Sequence, residues 1–331
     1  MTEYKPSDSR YDDMKYNRCG KSGILLPEVS FGLWQNFGTE KPIEEQKALI
    51  FRALDLGITH FDLANNYGAP ANGAAEENFG RILKEDLQPY RDELFISTKA
   101  GYDMWKGPYG NWGSRKYLTA SLDQSLKRMG LDYVDVFYHH RPDPETPLEE
   151  TMETLSDMVR RGKALYVGIS NYKEADAKKA IKILKENKTP CLLNQIRYNM
   201  LERWPEDGLF AALEENGVGC ICFSPLAQGT LTGRYLDGIP ENSRAHRQGT
   251  TVGARYLNPE ILKKVSLLNG MAEERGQTMA QMALEWVLRR REVTSVLIGA
   301  SRISQLEDNV KALAGEPFSE EETVRIDRIL G

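Results

Sequence analysis

The chain has 331 residues, of which 27% are charged and 40% hydrophobic, and its formal net charge is −5. This balance offers no basic surface to nucleic acid or anionic lipid, so we expect neither partner and expect a small soluble substrate. There is no apolar run of the roughly 18 residues that span a membrane, and the polar, acidic opening MTEYKPSDSRYDDMKY does not resemble a signal peptide, so the expected location is the cytoplasm.

Strand-like and helix-like segments alternate along the chain. After a hairpin-like opening at residues 15–27, the strand-like runs are VSFGLW, THFDLA, ELFISTKA, YVDVFYHH, ALYVGIS, PCLLNQIRY, GVGCICFSP and SVLIGAS. The helix-like segments are 43–56, 75–85, 115–129, 147–161, 173–186 and 206–215, with two more before the eighth strand and one after it. Eight such units predict an α/β fold, a (β/α)8 TIM barrel that forms a single domain over residues 1–331. A doubly wound sheet is the alternative.

Local features refine this prediction. Residues 228–258, after the seventh strand, have little periodicity and many Gly and Arg residues, which predicts a long loop, functional or disordered, at the carboxyl-terminal face. No G-x-G-x-x-G follows a first strand, which argues against a Rossmann fold. Ser114 and Ser304 are predicted to cap helices, the second through the capping box SQLE at Ser304–Glu307.

The cysteines do not form a metal-binding or disulfide pattern. They are scattered, at Cys19, Cys191, Cys220 and Cys222. Most lie in or beside apolar strand-like segments, so we expect buried reduced thiols and no metal site.

Several strand-like segments end in polar residues. These are Asp62, Lys99, His140, Ser170, Asn171 and Gln195. The carboxyl ends of all strands in a (β/α)8 barrel converge on one face, so residues far apart in sequence become neighbours there. The pattern predicts one site at that face.

Residues 139 and 140 are both histidines, and the alternation of side chains along a strand separates them. Val136, Tyr138 and His140 share one face of the strand, whereas Phe137 and His139 share the other. Barrel interiors favour apolar side chains, and the first face carries less charge. His140 is therefore predicted to face the barrel, and His139 the helices or the loop.

Lys99 lies in an apolar strand, where an ammonium group is rarely buried without an anion. Asp62 is the predicted anion, and a loop can bring the phenol of Tyr67 over the barrel mouth. A neighbouring ammonium is expected to lower the pKa of that phenol below its usual value near 10. A carbonyl that receives hydride needs a proton donor and a hydrogen-bond partner, which Tyr67 and His140 are predicted to supply. Each residue alone fits a structural role, and their joint placement favours catalysis.

Five segments, GITHFDLANNYG, ISTKAGY, LDYVDVFYHHRP, GISNY and SPLAQGTLTGRY, resemble the aldo-keto reductase family over nearly the whole chain. The resemblance implies that the catalytic tetrad of the family falls on Asp62, Tyr67, Lys99 and His140. The strand-ending LIHWP of the family aligns with FYHHRP, which again selects His140. The resemblance also implies NADPH/NADP+ as the cofactor, bound without a Rossmann fold.

The resemblance further implies a set of cofactor-binding residues. Ser170, Asn171 and Gln195 would hold the nicotinamide, and Phe223 stands where many members stack a Tyr on the ring. The remaining residues follow the mouth, the phosphate-side loop and the adenosine-phosphate end: Trp34, Ser224, Leu226, Gly229, Leu231, Arg234, Arg244, Ser301, Arg302, Gln305 and Asn309. Arg234, Arg244 and Arg302 favour NADPH over NADH, since each can meet a 2′-phosphate.

AGYDMWKGPYG, GSRKYLTASLDQSLKRMGLDYVD and VTSVLIGASR are most similar to the family's bacterial L-glyceraldehyde 3-phosphate reductase group, which is related to potassium-channel β subunits. This implies reduction of small aldehydes, including triose phosphates and methylglyoxal, by a homo-oligomer, a tetramer or octamer. Trp34 and Trp105 would line the substrate mouth. Lys106 and Arg141 are interpreted as available for a substrate phosphate, because Lys and Arg are good phosphate donors.

Two other functions remain open at this point. A cofactor-sensing interaction protein, like the channel β subunits, would bind NADPH and turn over slowly. A barrel aldolase or isomerase would use Lys99 as a Schiff-base nucleophile, but it would leave Tyr67 and the GISNY and SPLAQG loops unexplained.

Overall fold

The computed structural model describes residues 4–68, 72–241, 243–246 and 255–331. Eight parallel strands close into a barrel, so the (β/α)8 prediction is confirmed and the doubly wound alternative is wrong. The barrel strands are β3 (Val29–Gly32), β4 (His60–Asp62), β5 (Phe95–Ala100), β6 (Val134–His139), β7 (Ala164–Ser170), β8 (Cys191–Arg197), β9 (Gly219–Phe223) and β10 (Ser295–Ile298).

The predicted hairpin precedes the barrel as β1 (Tyr16–Arg18) and β2 (Leu25–Pro27), which pair antiparallel. The Asn17 side-chain amide donates a hydrogen bond of 3.1 Å to the carbonyl of Thr294, which lies immediately before β10. Leu26 packs among side chains of the barrel interior. The hairpin therefore covers the amino-terminal end of the barrel, and the carboxyl ends of the strands lie opposite it.

Amphipathic helices surround the barrel with their apolar faces turned inward, and the last of them packs on the helix Pro259–Glu274. They are α1 (Ile43–Asp55), α2 (Ala74–Ile82), α3 (Arg115–Met129), α4 (Leu148–Arg160), α5 (Glu174–Glu186), α6 (Leu209–Asn216), α7 (Pro259–Glu274), α8 (Met279–Leu288), α9 (Ile303–Val310) and α10 (Glu320–Leu330). Within the predicted loop 228–258, 3₁₀ turns occupy Ala227–Thr232 and Arg244–His246. Residue 242 and residues 247–254 lie outside the described residues.

One of the two predicted helix caps is confirmed and the other is wrong. The Ser114 hydroxyl accepts the backbone N–H of Tyr117 at the start of α3. Ser304 lies inside α9, which begins at Ile303 without a side-chain cap. The reason is that the Gln305 side-chain oxygen accepts the N–H and hydroxyl of the preceding Ser301, so the helix begins before the SQLE segment can form a box.

Side-chain alternation along the strands separates two hydrophobic clusters. Val136 and Tyr138 pack inside the barrel, whereas Phe137 packs in the layer between the strands and the helices. The four cysteines are buried free thiols, as predicted. Among the helices described, none has the length and apolarity needed to cross a membrane.

Candidate active site

A cavity of about 960 Å³ opens where the strands end. Side chains from the ends of β4, β7 and β8 and from the connecting loops line it. They include Asp62, Tyr67, His140, Ser170, Asn171 and Gln195. The predicted convergence of polar strand ends therefore occurs, and it occurs around one cavity.

Lys99 and Asp62 form a completely buried ion pair beneath this cavity. The Lys99 ammonium lies 2.5 Å from Oδ2 of Asp62 and donates a second hydrogen bond, also 2.5 Å, to the carbonyl of Leu63. The other carboxylate oxygen, Oδ1, accepts the Ser97 hydroxyl at 2.7 Å and the Gln195 amide at 3.0 Å. Burial lowers the pKa of Lys99, and the charge of Asp62 opposes that shift. The pair is held on one side by Ser97 and Gln195, which lie on β5 and β8, and on the other by the carbonyl of Leu63 just after β4.

Tyr67 packs directly on the ammonium, with Nζ of Lys99 4.6 Å from the centre of its ring. Burial, and then the negative charge of Asp62, raise the pKa of Tyr67 well above its usual value. The expectation that Lys99 lowers this pKa is therefore wrong. The reason is that Asp62 neutralises the cation, so desolvation of the phenolate dominates. Tyr67 keeps its proton at ordinary pH.

His140 faces Tyr67 across the cavity floor, with ring centres 5.8 Å apart. Tyr102 meets the other side of the imidazole edge-on at 4.7 Å. Burial, and then the charge of Lys99, lower the pKa of His140 well below its usual value. A neutral imidazole donates a hydrogen bond without acting as a strong acid.

His139 lies on the opposite face of β6, as the alternation predicts. Its Nδ1 lies 2.6 Å from the Tyr172 hydroxyl, and a side chain added at Gly113 would collide with its Nε2. Burial lowers its pKa to about 4. His139 is therefore packed behind the barrel, away from the cavity.

One end of the cavity combines amide and hydroxyl groups with an aromatic face. The Asn171 side-chain amide donates to the His140 carbonyl at 3.0 Å and to the Ser170 hydroxyl at 3.2 Å, which orients the β7 end. Gln195 is oriented by its bond to the buried carboxylate. Phe223, at the end of β9, adds a flat apolar surface to the lining.

The other end of the cavity is lined by the loop after β9 and by the start of α9. The predicted residues brought there are Ser224, Leu226, Gly229, Arg234, Ser301, Arg302, Gln305 and Asn309. Arg302 immediately precedes α9, whose amino-terminal amides also favour an anion. Two guanidinium groups, those of Arg234 and Arg302, lie at this end together with the carboxylate of Asp308, so positive charge predominates there.

Comparison with known proteins agrees with this geometry. The sequence model of the Aldo/keto reductase family matches residues 28–330. The chain belongs to the aldo/keto reductase family. That family is one of oxidoreductases, and its members generally use a nicotinamide cofactor.

Individual aldo/keto reductase relatives cover most of the chain. It is 60% identical to the L-glyceraldehyde 3-phosphate reductase of Escherichia coli O157:H7, over 96% of this chain and 93% of that one. It is 59% identical to the protein of the same name from Escherichia coli strain K12, with the same coverage. It is 38% identical to a probable voltage-gated potassium channel subunit beta of Arabidopsis thaliana, over 91% of each chain.

The lining of this aldo/keto reductase cavity fits a nicotinamide dinucleotide. Asn66 Oδ1, His140 Nδ1 and Arg197 Nη1 are buried polar atoms at the cavity, and each lacks a hydrogen-bond partner within the described residues. Phe223 matches an aromatic ring, and the cationic end matches phosphate groups. No group of three or more metal-ligating side chains occurs in the part of the chain that the structure describes.

Some residues predicted to contact ligands are not brought to the cavity. Leu231 is completely buried in the hydrophobic core, because its loop turns it inward. Trp105 packs on Tyr117 with ring centres 5.1 Å apart, and Lys106 is exposed outside the lining. The side chain of Arg244 lies outside what the structure describes.

Arg141 is also used differently from the prediction. Its guanidinium stacks between the rings of Tyr102 and Trp112, at 4.1 and 3.7 Å from their centres. It donates to the carbonyl of Gly101 at 2.8 Å and to the Asn111 side chain at 2.9 Å. These contacts use two of the five N–H donors of the guanidinium within the protein, and Arg141 is not among the residues that line the cavity.

Trp34 lies at the mouth, 49% exposed, with its ring 6.3 Å from that of Tyr67. Several lining residues were missed from the sequence, among them Arg197 and Tyr102. Arg197 shares a strand face with Gln195, so alternation along β8 contains the signal that finds it. Tyr102 reaches His140 through the path of a loop, for which the sequence has no comparable signal.

Proposed function

We propose that the protein reduces small aldehydes to alcohols with NADPH, and that L-glyceraldehyde 3-phosphate and methylglyoxal are its candidate substrates. The observation that carries the proposal is the arrangement of Tyr67 on the buried Lys99–Asp62 pair, facing His140 at the floor of the cavity. The identity of 60% to an L-glyceraldehyde 3-phosphate reductase supports the substrate class.

Each of the four residues has a distinct role in this proposal. A nicotinamide cofactor bound in the cavity would supply the hydride that the carbonyl carbon receives. Tyr67 donates its proton to the carbonyl oxygen, and the Lys99 ammonium beneath the ring stabilises the phenolate that is left. Asp62 fixes the position of Lys99 and keeps the pair neutral before proton transfer. The neutral imidazole of His140 donates a hydrogen bond to the carbonyl oxygen.

The cofactor contacts are proposed from the lining. Ser170, Asn171 and Gln195, which line the cavity, would hold the carboxamide, and Phe223 would pack on the ring. The cationic end binds the phosphates, and Arg302 with Arg234 gives preference to NADPH over NADH. Dissociation constants measured by fluorescence titration test this preference, because equal affinity for the two cofactors would contradict it.

For the substrate, Trp34 is the residue of the predicted set that remains at the mouth beside Tyr67 and His140. The Schiff-base alternative loses its support, because the Lys99 nitrogen is committed to a carboxylate and a carbonyl.

A cytoplasmic location and a tetramer or octamer also belong to the proposal. Light scattering after size-exclusion chromatography measures the oligomer size.

The first experiment follows the absorbance of NADPH with both enantiomers of glyceraldehyde 3-phosphate and with methylglyoxal. His140→Gln is expected to abolish turnover, whereas the matched change His139→Gln behind the barrel is expected to retain it. If the wild-type protein binds NADPH tightly and reduces none of these aldehydes, the cofactor-sensing alternative replaces the reductase. The 38% identity to a channel β subunit makes that outcome a specific rival.

A further inference from the structure

A chain of buried polar side chains crosses the barrel interior and ends on the catalytic carboxylate. It runs through Ser295, Ser30, His60 and Ser97 to Asp62, and every one of these residues is 0% exposed. The successive atom-to-atom distances are 2.6 Å between the first two hydroxyls, then 2.8 and 2.9 Å on the two sides of the imidazole, and 2.7 Å to Oδ1 of the carboxylate. Inward polar residues on four neighbouring strands are unusual where barrels place branched apolar side chains.

Asp62, at the end of this series of hydrogen bonds, determines which group donates and which accepts in each of them. Asp62 is the counter-ion of Lys99, so its carboxylate accepts hydrogen bonds and the Ser97 hydroxyl must donate. Having one hydrogen, Ser97 must then accept from the imidazole nitrogen that faces it, Nε2 of His60. A neutral imidazole carries one N–H, so Nδ1 accepts from Ser30, which in turn accepts from Ser295.

A flip of the His60 ring would exchange Nδ1 and Nε2, but each nitrogen would still face a serine hydroxyl. The nitrogen that faces Ser97 would therefore still donate, and the one that faces Ser30 would still accept. The imidazole stays neutral at ordinary pH, since burial lowers the pKa of His60 to about 4. Lys99 assists that shift and Asp62 opposes it, while Phe95 covers the ring edge-on. A neutral histidine is a donor on one side and an acceptor on the other, which is what two facing hydroxyls of fixed direction require.

We propose that His60 is a positioning residue for the Asp62–Lys99 pair: its ring, protonated on the nitrogen that faces Ser97, orients the Ser97 hydroxyl onto Asp62. Through that carboxylate, His60 and Ser97 hold the Lys99 ammonium against Tyr67. Loss of the hydroxyl leaves Oδ1 with the single amide of Gln195 among the side chains described, so the orientation of the carboxylate is less restrained. The effect on turnover rests on the proposed reductase function, but the tautomer does not.

The tautomer is tested directly by ¹⁵N NMR of the full chain labelled at histidine. The sequence has four histidines, so the spectrum is simple, and the signals missing from His60→Gln identify His60. At pH 7 we expect one protonated ring nitrogen, the one facing Ser97, and an averaged pair of tautomers in Ser97→Ala. A proton on the nitrogen facing Ser30, or a doubly protonated ring, would overturn the proposal.

Turnover supplies the second test. Ser97→Ala is expected to lower kcat for an aldehyde about tenfold, as loss of an orienting partner commonly does, with little change in KM for the aldehyde. Ser97→Thr retains the hydroxyl and is expected to restore kcat. Ser156→Ala is the matched control, because that serine is equally buried but lies in α4. Circular dichroism verifies that each variant is folded.

The outcomes distinguish a failure of the positioning role from a failure of the proposed reductase function. If the wild type turns over aldehydes and Ser97→Ala keeps its kcat, the positioning role is wrong while the reductase stands. If no aldehyde is reduced by the wild type, the proposed function is wrong, and the NMR measurement still decides the hydrogen-bond order.

Discussion

Tyr67 rests on a lysine whose charge is already balanced by Asp62. Its acidity is therefore set by burial more than by the cation, and in the proposed mechanism its role depends on where the proton is held. In that proposal Lys99 acts when the phenol loses its proton, because the ammonium then faces a phenolate as well as a carboxylate. The buried Lys99–Asp62 pair has no net charge, and the Tyr67 phenol beside it is also uncharged.

The first prediction concerns the phenol itself. Tyr67→Phe removes the proton donor and leaves the ring in place, so kcat/KM for an aldehyde is expected to fall by about 10²–10⁴-fold. NADPH affinity is expected to stay unchanged. Tyr109→Phe is the matched control, since Tyr109 is 54% exposed. Steady-state kinetics measure the effect, and near-wild-type turnover in Tyr67→Phe would exclude the donor role.

The second prediction concerns pH. Because burial raises the pKa of Tyr67, the phenol stays protonated and competent as a donor at every pH below its usual value. We expect kcat/KM for aldehyde reduction to show no loss from Tyr67 ionisation between about pH 7 and 9. A pH profile of kcat/KM measures this. An alkaline decline in that range that disappears in a tyrosine-analogue-substituted protein with a higher pKa would show that the cation dominates after all.

At the scale of elements, the loop from β5 to α3 is fastened by Arg141, which comes directly after β6. The guanidinium stacks on Tyr102 and Trp112 and binds the Gly101 carbonyl, and Tyr102 packs on His140. Strands and their ends place Asp62, Lys99 and His140, a loop places Tyr67, and the Arg141 guanidinium fixes the loop that closes one side of the cavity.

The third prediction follows from that contact. Arg141→Ala is expected to raise KM several-fold and equally for glyceraldehyde 3-phosphate and methylglyoxal, because the loop loosens for any substrate. An increase confined to the phosphorylated aldehyde would instead support a phosphate contact. Arg115→Ala is a suitable control, since its guanidinium is half exposed and paired with Asp157. Steady-state kinetics with both aldehydes decide between the two.

The fourth prediction compares two helix starts. Ser319 caps α10 in a capping box with Glu322, so Ser319→Ala is expected to lower the free energy of unfolding by about 1 kcal/mol. Ser304 is exposed within the first turn of α9 and caps nothing, so Ser304→Ala is expected to change that free energy by less than about 0.5 kcal/mol. Urea unfolding measures both, and equal losses would contradict the assigned start of α9.

At the scale of the whole molecule, buried neutral histidines couple stability to pH. Burial lowers the pKa of both His60 and His139 to about 4, below the usual 6.5. The unfolded chain therefore binds protons between these values that the folded chain does not, and folding loses free energy as the pH falls.

The fifth prediction concerns how strongly the free energy of unfolding depends on pH. Stability from these histidines is complete above pH 6.5 and decreases as pH falls toward 4, by up to about 1.4 kcal/mol per pH unit for each ring. His139→Gln is expected to flatten the dependence relative to the wild type. Urea unfolding at a series of pH values measures the slope, and an unchanged slope in His139→Gln would show that this ring is not held neutral.

The sequence by itself determined the barrel, the hairpin and the strand ends that meet at the cavity. These follow from periodicity and from parallel topology, which places every strand end on one face whatever the loops do. The inward direction of His140 and the outward direction of His139 have the same origin, because alternation along a strand is a local property.

Only the tertiary structure decided how neighbouring groups divide their charge and their hydrogen bonds. The acidity of Tyr67 depends on Asp62 sharing Lys99, the use of Arg141 depends on aromatic rings brought by a loop, and the burial of Leu231 depends on a turn. The order of protons through His60 depends on residues from four strands meeting inside the barrel. Each of these properties depends on a contact between segments that are distant in sequence, and a local sequence pattern does not specify which distant residue a side chain contacts.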